Sequence, residues 1–361
     1  MQTADRYRRS PGLVIYWAGS EAVCFIFQSA ERIPISLEAV DILHAIPDWT
    51  TVAELQERIA PGEASGIVRQ TVDLLLEIGL VERDGDARHG DAWLDWPHAA
   101  FFHFSTKNGI FPEDLSQRDR DLAAKAQHHP PPAPTKRIEG PRLRLPIAAL
   151  PDADLSTTLR SRRTWRRFSP RPVPAAALGA VLEATFAAQQ RATVPGQGPI
   201  ILRTSPSGGS RHSIEAYLLA WNVEGLAAGA YHYDSDTREL VDLRHPLSAT
   251  DIPALFAHQR YFARAAAIVV MCPVFARTMW RYPQSRAYRT VLIDAGHLGQ
   301  TFALAATSLG LAPFTTMAFS ESALEQLLGL DGISECPIYA AGVGMPDPEG
   351  RELPGHWDAG V

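Results

Sequence analysis

The sequence has few of the residues that staple, coordinate or span. It holds 3 cysteines, Cys24, Cys272 and Cys336, far apart and in no metal-type pair. They read as reduced core thiols of a cytoplasmic protein. No apolar run reaches the roughly 18–20 residues that cross a bilayer. The most apolar stretch, 290–313, is broken by Asp294, His297, Gln300 and several glycines. Arginines near the start have no apolar segment behind them, so no secretory signal is expected. The G-x-x-x-x-G-K phosphate loop, the Rossmann glycine fingerprint and the G-x-S-x-G nucleophile elbow are all missing. Lysine is absent from residues 1–95, where 16 acids stand against 8 arginines and give a charge of −8. The remainder carries 24 acids and 26 bases, or +2, which completes the overall −6. An acidic front argues against nucleic acid as its partner.

The 361 residues, 46% hydrophobic and 20% charged, suit two domains with a large buried core. Residues 13–27, LVIYWAGSEAVCFIF, read as two strands around Gly19-Ser20. Helices are expected from Ser36, from Thr51 and over ASGIVRQTVDLLLEIG, with a strand at LVER. Thr51-x-x-Glu54 is a capping box. This order resembles a small winged-helix domain over 1–95, suited to docking a peptide or partner, or to a structural role. Residues 96–146 form a connecting segment that ends in the proline-rich HHPPPAPTKRIEGPRLRLP. That stretch reads as a solvated linker, and His128-His129 has no third metal ligand nearby.

The second domain covers 147–361. A helix is expected after Pro174, a strand at 214–224, a hairpin around DSDTR and a strand buried on both faces at 265–275. The long helix RTVLIDAGHLGQTFALAATSLGL carries Asp294, His297 and Gln300 as one narrow polar stripe, and CPIYAAGVGMP is a further buried strand. Strands and helices do not alternate strictly, so the class is α+β, with a mixed sheet flanked by helices.

Three constellations stand out in this domain. RSRRTWRRF, 160–168, holds five arginines in nine residues. It is either a solvated basic helix or a polyanion site, since guanidinium forks pair with phosphate and hydroxyls add donors. TSPSGGSRH, 204–212, is either an ordinary turn or a loop whose glycines let the backbone approach a flat or anionic ligand. WRYPQSRAYR, 280–289, interleaves aromatics and arginines between a buried strand and a buried helix, as a loop at a pocket mouth would. Asp294 and His297 alone make a poor metal site.

In order and spacing these pieces resemble the nitroreductase-like flavin family, and within it the SagB-type dehydrogenases, the azoline oxidases of peptide natural-product pathways. Arg162-Arg163-Thr164-Trp165-Arg166-Arg167-Phe168 is similar to the family opening R-R-S-x-R-x-F. The run from Pro206 to Tyr217, NVEGLAAGAYHYD (222–234), the long helix, the last strand and FHFSTK (102–107) resemble that branch too. The resemblance spans about 150–346 and implies FMN bound at a homodimer interface. It places Arg162, Arg163, Thr164 and Arg166 at the FMN phosphate and ring edge. It places Pro206, Ser207, Gly208 and Gly209 on the loop facing the isoalloxazine, and Thr316, Met317 and Ala318 along the ring. Arg351 adds a phosphate contact. Ala318 stands where the family has glycine. Arg281-Tyr282 stands where the azoline oxidases have a catalytic Lys–Tyr pair. Arginine keeps its proton at any working pH, so Tyr282 is the candidate base, with Arg281 favouring its tyrosinate form.

The resemblance therefore implies oxidation of a thiazoline or oxazoline in a precursor peptide, with a cyclodehydratase complex as a partner. The alternatives are another FMN-dependent peptide dehydrogenation, NAD(P)H-driven nitro or enone reduction, and a non-catalytic scaffold. No metal, nucleic-acid or membrane partner is expected.

Overall fold

The structure is a computed structural model that describes residues 5–27, 29, 31–61, 66–86, 93, 95–109, 111 and 113–347. The chain forms two compact units, Met1–Ile110 and Phe111–Val361. The segment 111–146, expected as connection, is thus built into the second unit.

In the first unit, β1 (Arg6–Arg9), β2 (Leu13–Ala18), β3 (Glu21–Ile26) and β4 (Arg32–Pro34) lead to α1 (Leu37–Ala45). Then come β5 (Thr50–Thr51), α2 (Val52–Ile59), α3 (Gly66–Glu77), β6 (Val81–Arg83) and α4 (Pro97–Ser105). Strands β2, β3 and β4 make one antiparallel sheet, and β1 lies between β5 and β6 in another. Ser36 accepts the Ala39 N–H at the start of α1, and Thr51 and Glu54 close the expected capping box. The apolar faces of the three helices meet at Leu43, Leu55, Val72 and Leu75. Strand β1 carries no apolar alternation in RYRR, yet it buries Tyr7 in that core while Arg6 and Arg9 face outward. Burial pushes the Cys24 thiol up to about 11, which suits an inert core thiol.

The second unit begins with α5 (Leu115–His128), β7 (Arg142–Leu143), α6 (Leu155–Ser161), β8 (Phe168–Ser169) and α7 (Ala175–Phe186). Next are β9 (Gln190–Val194), β10 (Gly198–Leu202), β11 (Ile214–Ala220), β12 (Gly229–Asp234), β13 (Glu239–Asp242) and α8 (Ile252–Leu255). The chain continues through β14 (Ala267–Pro273), α9 (Phe275–Arg281), α10 (Tyr288–Ser308), β15 (Ala312–Thr316), α11 (Glu321–Leu328) and β16 (Tyr339–Pro346). The main sheet runs β15-β16-β14-β11-β12-β13-β7, with β8 added beside β16, while β9 and β10 form a separate hairpin. Its strand pairings are antiparallel; the parallel component among the described residues is an isolated bridge between Val173 and Val223.

Alternation on β14 explains why its sequence is apolar throughout. Val269 and Met271 pack with α7 and α10 on one face, and Ile268, Val270 and Cys272 with Phe256, Phe262 and Phe314 on the other. The proline-rich segment is not a solvated linker along its backbone. The His129 and Ala133 carbonyls accept hydrogen bonds from Trp280 and Arg277, and the Lys136 N–H donates to Glu215. No described helix is long and apolar enough to cross a membrane.

Candidate active site

The glycine loop between β10 and β11 is held in a strained shape. Gly209, Ser210 and His212 have φ of 60°, 52° and 42°, in the left-handed region. For Ser210 and His212 this costs on the order of 1 kcal/mol each, so something must hold the loop there. Asp294 of α10 does so from one side. Ser207 Oγ donates to Asp294 Oδ2 at 2.5 Å, the Gly208 N–H lies 3.4 Å from Oδ1, and the His212 N–H donates to Ser207 Oγ at 2.9 Å. Burial raises the Asp294 carboxyl, and the two loop donors counter that rise. Burial, with the Arg203 and Arg277 cations, pushes His212 down to about 3, so its imidazole is neutral near pH 7.

The loop meets the end of α9. A Cβ on Gly208 would fall on the Thr290 side chain. One on Gly209 would fall on Arg281 Cδ and Nε and lie 2.7 Å from Tyr282 Oη. Arg281 Nε donates to Tyr282 Oη at 3.2 Å, and its Nη1 donates to Gln197 in the β9–β10 turn. Arg211 Nε donates to the Gly209 carbonyl at 3.1 Å, while its buried Nη2 has no hydrogen-bond partner among the described residues. Trp280 and Arg281 are therefore helical, not part of a loop. Trp280 is buried beneath the Arg211 guanidinium, whose centre is 5.3 Å from the ring, and its Nε1–H reaches His129.

The arginine cluster builds a second locus. Arg162, Arg163 and Thr164 follow α6 and wall a cavity of about 80 Å³ with Gln300, Thr315 and Tyr339. Among the described residues no carboxylate lines it, and its arginines and hydroxyls offer donors that suit an anion such as phosphate. Arg163 is turned onto the Arg160 and Arg162 carbonyls, whereas the Arg162 guanidinium makes no hydrogen bond to any described residue. The Trp165 N–H bonds to the Pro313 carbonyl and ties this segment to β15. Thr316 ends that strand and Met317 and Ala318 follow it; Ala318 N–H donates to Thr316 Oγ1 at 2.9 Å and Met317 is 68% exposed. Arg166 does not join the cavity. Its guanidinium bonds the partly buried Tyr261 phenol. Arg351 lies outside the described residues.

The two loci sit on different flanks of α10. At about 100° per residue, Thr290, Asp294 and Thr301 share one flank, while Gly296, Gly299, Gln300 and Ala303 cluster about half a turn away. Contacts agree with that arithmetic: Ser207 and Gly208 reach Asp294, Ser205 reaches Thr301, and the arginine cavity takes the other four. Leu292, Ile293 and Gly296 are exposed on the same side of α10 as the arginine cavity. An anion cavity walled by arginines, hydroxyls and an amide, a glycine loop without side-chain bulk and an orphaned Arg211 donor fit a bound FMN.

Asp294, Arg277, Gln197 and Arg211 were not singled out by sequence as site residues. For Asp294 a signal existed, because a buried carboxylate in an apolar helix needs a partner. Among the described residues no group of three or more His, Cys, Asp or Glu side chains is placed to hold a metal.

An antiparallel sheet backed by one long helix, with an arginine cavity and a glycine cradle on that helix, defines a nitroreductase-like oxidoreductase fold. The chain belongs to the Nitroreductase family, whose pattern matches residues 159–345. It is 33% identical over 150 residues to the trifolitoxin-processing protein TfxB of Rhizobium leguminosarum bv. trifolii, covering 40% of this chain and 39% of that one. A nitroreductase-named protein of Methanocaldococcus jannaschii is 24% identical over 205 residues, 57% of this chain and 98% of the relative. A crystal structure of a nitroreductase-named protein from Anabaena variabilis superposes with a TM-score of 0.53 at 24% identity, over 69% of this chain and 47% of that one. The chain thus spans less than half of the Rhizobium and Anabaena proteins.

Proposed function

We propose that the chain is an FMN-dependent dehydrogenase of the SagB type, which oxidises a thiazoline or oxazoline in a ribosomally made peptide to the azole. The observation that carries the reading is the meeting of Gly209 with Arg281 and Tyr282, a side-chain-free backbone beside a phenol that accepts a hydrogen bond from a guanidinium. The Rhizobium relative, named for processing trifolitoxin, supports a peptide-modifying role.

Arg162, Arg163 and Thr164 would hold the FMN phosphate. Ser207–Gly209 and Thr316–Ala318 would lie along its ring, with Arg211 supplying a spare donor. Bound FMN supplies a hydride acceptor that dioxygen reoxidises. Tyr282, as tyrosinate, takes the proton from the ring Cα of the azoline. Arg281 keeps its charge and stabilises both the phenolate and the anion developing on the substrate. The substrate ring loses one proton and one hydride in all.

Each complete site takes the arginine cavity of one copy and the glycine loop of another, so the working form is a homodimer. The exposed Leu292, Ile293 and Gly296 form the face that pairs. The first unit docks the precursor peptide or a cyclodehydratase partner.

The test is to purify the chain, read its flavin absorbance and incubate it with an azoline peptide. Product lighter by two hydrogens is expected. A colourless protein that takes up no FMN refutes the reading. Rapid flavin bleaching by NADPH without peptide would favour nitro or enone reduction, the reading that replacement of the family lysine by Arg281 keeps open. Azole formation that survives both Tyr282→Phe and Arg281→Ala would assign the chemistry elsewhere.

A further inference from the structure

Helix α9 is 7 residues long, too short to persist alone in water. Yet it ends in the Arg281–Tyr282 pair. What holds it is a strap formed by the end of α5 and the proline-rich run. Lys125 Nζ donates to the Trp280 carbonyl at 2.5 Å, at the negative end of the helix. Trp280 Nε1 donates to the His129 carbonyl at 2.7 Å. Arg277, one turn before Arg281, donates from Nε to the Ala133 carbonyl at 2.8 Å.

Arg277 also leaves the strap. Its Nη1 lies 2.6 Å from Glu215 Oε1 and 3.2 Å from the His212 carbonyl, at the exit of the strained glycine loop. Its side chain is 3% exposed and that of Glu215 is 1% exposed, so the pair is fully desolvated. Glu215 in turn accepts from the Lys136 N–H at 3.1 Å and contacts His232 Nε2 at 3.0 Å. One guanidinium therefore ties together the strap, the loop exit, β11 and α9. A planar fork with five donors can serve three acceptors at once; an ammonium cannot hold the same geometry.

We infer that Arg277 is a positioning residue. It locks α9 to the strap and to the glycine loop, and so sets Tyr282 Oη against Gly209. Its catalytic meaning rests on the reading of Tyr282 as the base, but the mechanical tie can be measured without it.

The experiment compares full-length wild type, Arg277→Gln, Arg277→Lys and Lys125→Met. In Arg277→Gln, amide hydrogen exchange in peptides covering 206–212 and 275–282 is expected to quicken roughly tenfold together, while β14 keeps its protection. With FMN and azoline peptide, kcat falls roughly tenfold or more with little change in KM. Arg277→Lys recovers part of both. Faster exchange confined to one of the two segments, or a fall in melting temperature with kcat intact, would overturn the inference. Should Arg277→Gln fail to fold, Lys125→Met decides. It removes a bond at the C-terminal end of α9, and it must quicken exchange in 275–282 or the strap has no such role. Wild type that shows no flavin or azole activity refutes the proposed function and leaves the exchange result standing.

Discussion

Substituting Gly209 by alanine tests the site where backbone and chemistry meet. The φ of 60° costs an ordinary L-residue about 1–2 kcal/mol. For a unit of this size that lowers the melting temperature by roughly 2–8 °C, at about 2–4 °C per kcal/mol. The new methyl would lie 2.7 Å from Tyr282 Oη, about 0.7 Å short of ordinary contact, and would also fall on Arg281 Cδ and Nε. Those atoms belong to the outer parts of two side chains, so the fold gives way there and not in the sheet. Displacement of a catalytic group by close to 1 Å costs on the order of a hundredfold in rate. The expected variant is folded, slightly less stable and roughly ten- to hundredfold slower in azole formation. Gly209→Asn separates the two effects, because asparagine tolerates a left-handed φ yet carries the same Cβ. It should recover stability and remain slow. Wild-type turnover in Gly209→Ala would refute the placement of Tyr282 against this loop.

Tyr282→Phe should lower kcat by roughly a hundredfold or more, the usual worth of a positioned base, with FMN content unchanged in the absorption spectrum. Arg162→Ala should weaken FMN binding roughly ten- to hundredfold in a fluorescence titration, since one charge-assisted hydrogen bond is worth about 1.5–3 kcal/mol. His212 makes stability fall in acid. Its folded value of about 3 lies below the ordinary 6.5, so its contribution is complete above pH 6.5 and is lost as pH falls toward 3. By pH 5.5 the loss is about 1.4 kcal/mol, and His212→Asn should flatten the denaturant-midpoint profile between pH 7 and 5 by about one proton.

Local order was legible where a residue's fate depends on its neighbours in the chain. The capping box at Thr51 and Glu54, the turn at Gly19-Ser20 and the two-faced burial of β14 all follow from short-range pattern. Composition located the arginine and glycine motifs, and resemblance assigned them to a flavin. What pattern could not supply was pairing over distance. Ser207 meets Asp294 across 87 positions, and Arg277 meets Ala133 across 144. The proline-rich run reads as solvated from its composition, but the His129 and Ala133 carbonyls, the Lys136 N–H and the Lys136 ammonium all bond to the domain. Arg166 sits in a family motif yet its guanidinium bonds Tyr261, 95 positions away, a pairing that no local signal announces.

The separation of the two loci across α10 has a genetic consequence. If one copy supplies the anion cavity and the other the loop, Arg162→Ala and Tyr282→Phe damage different halves of each site. Co-expressed, the two inactive variants should complement. A mixed pair concentrates both lesions in one site and leaves the other whole, so random pairing restores roughly a quarter of wild-type activity. A chain that assembled its whole site alone would stay silent in that mixture.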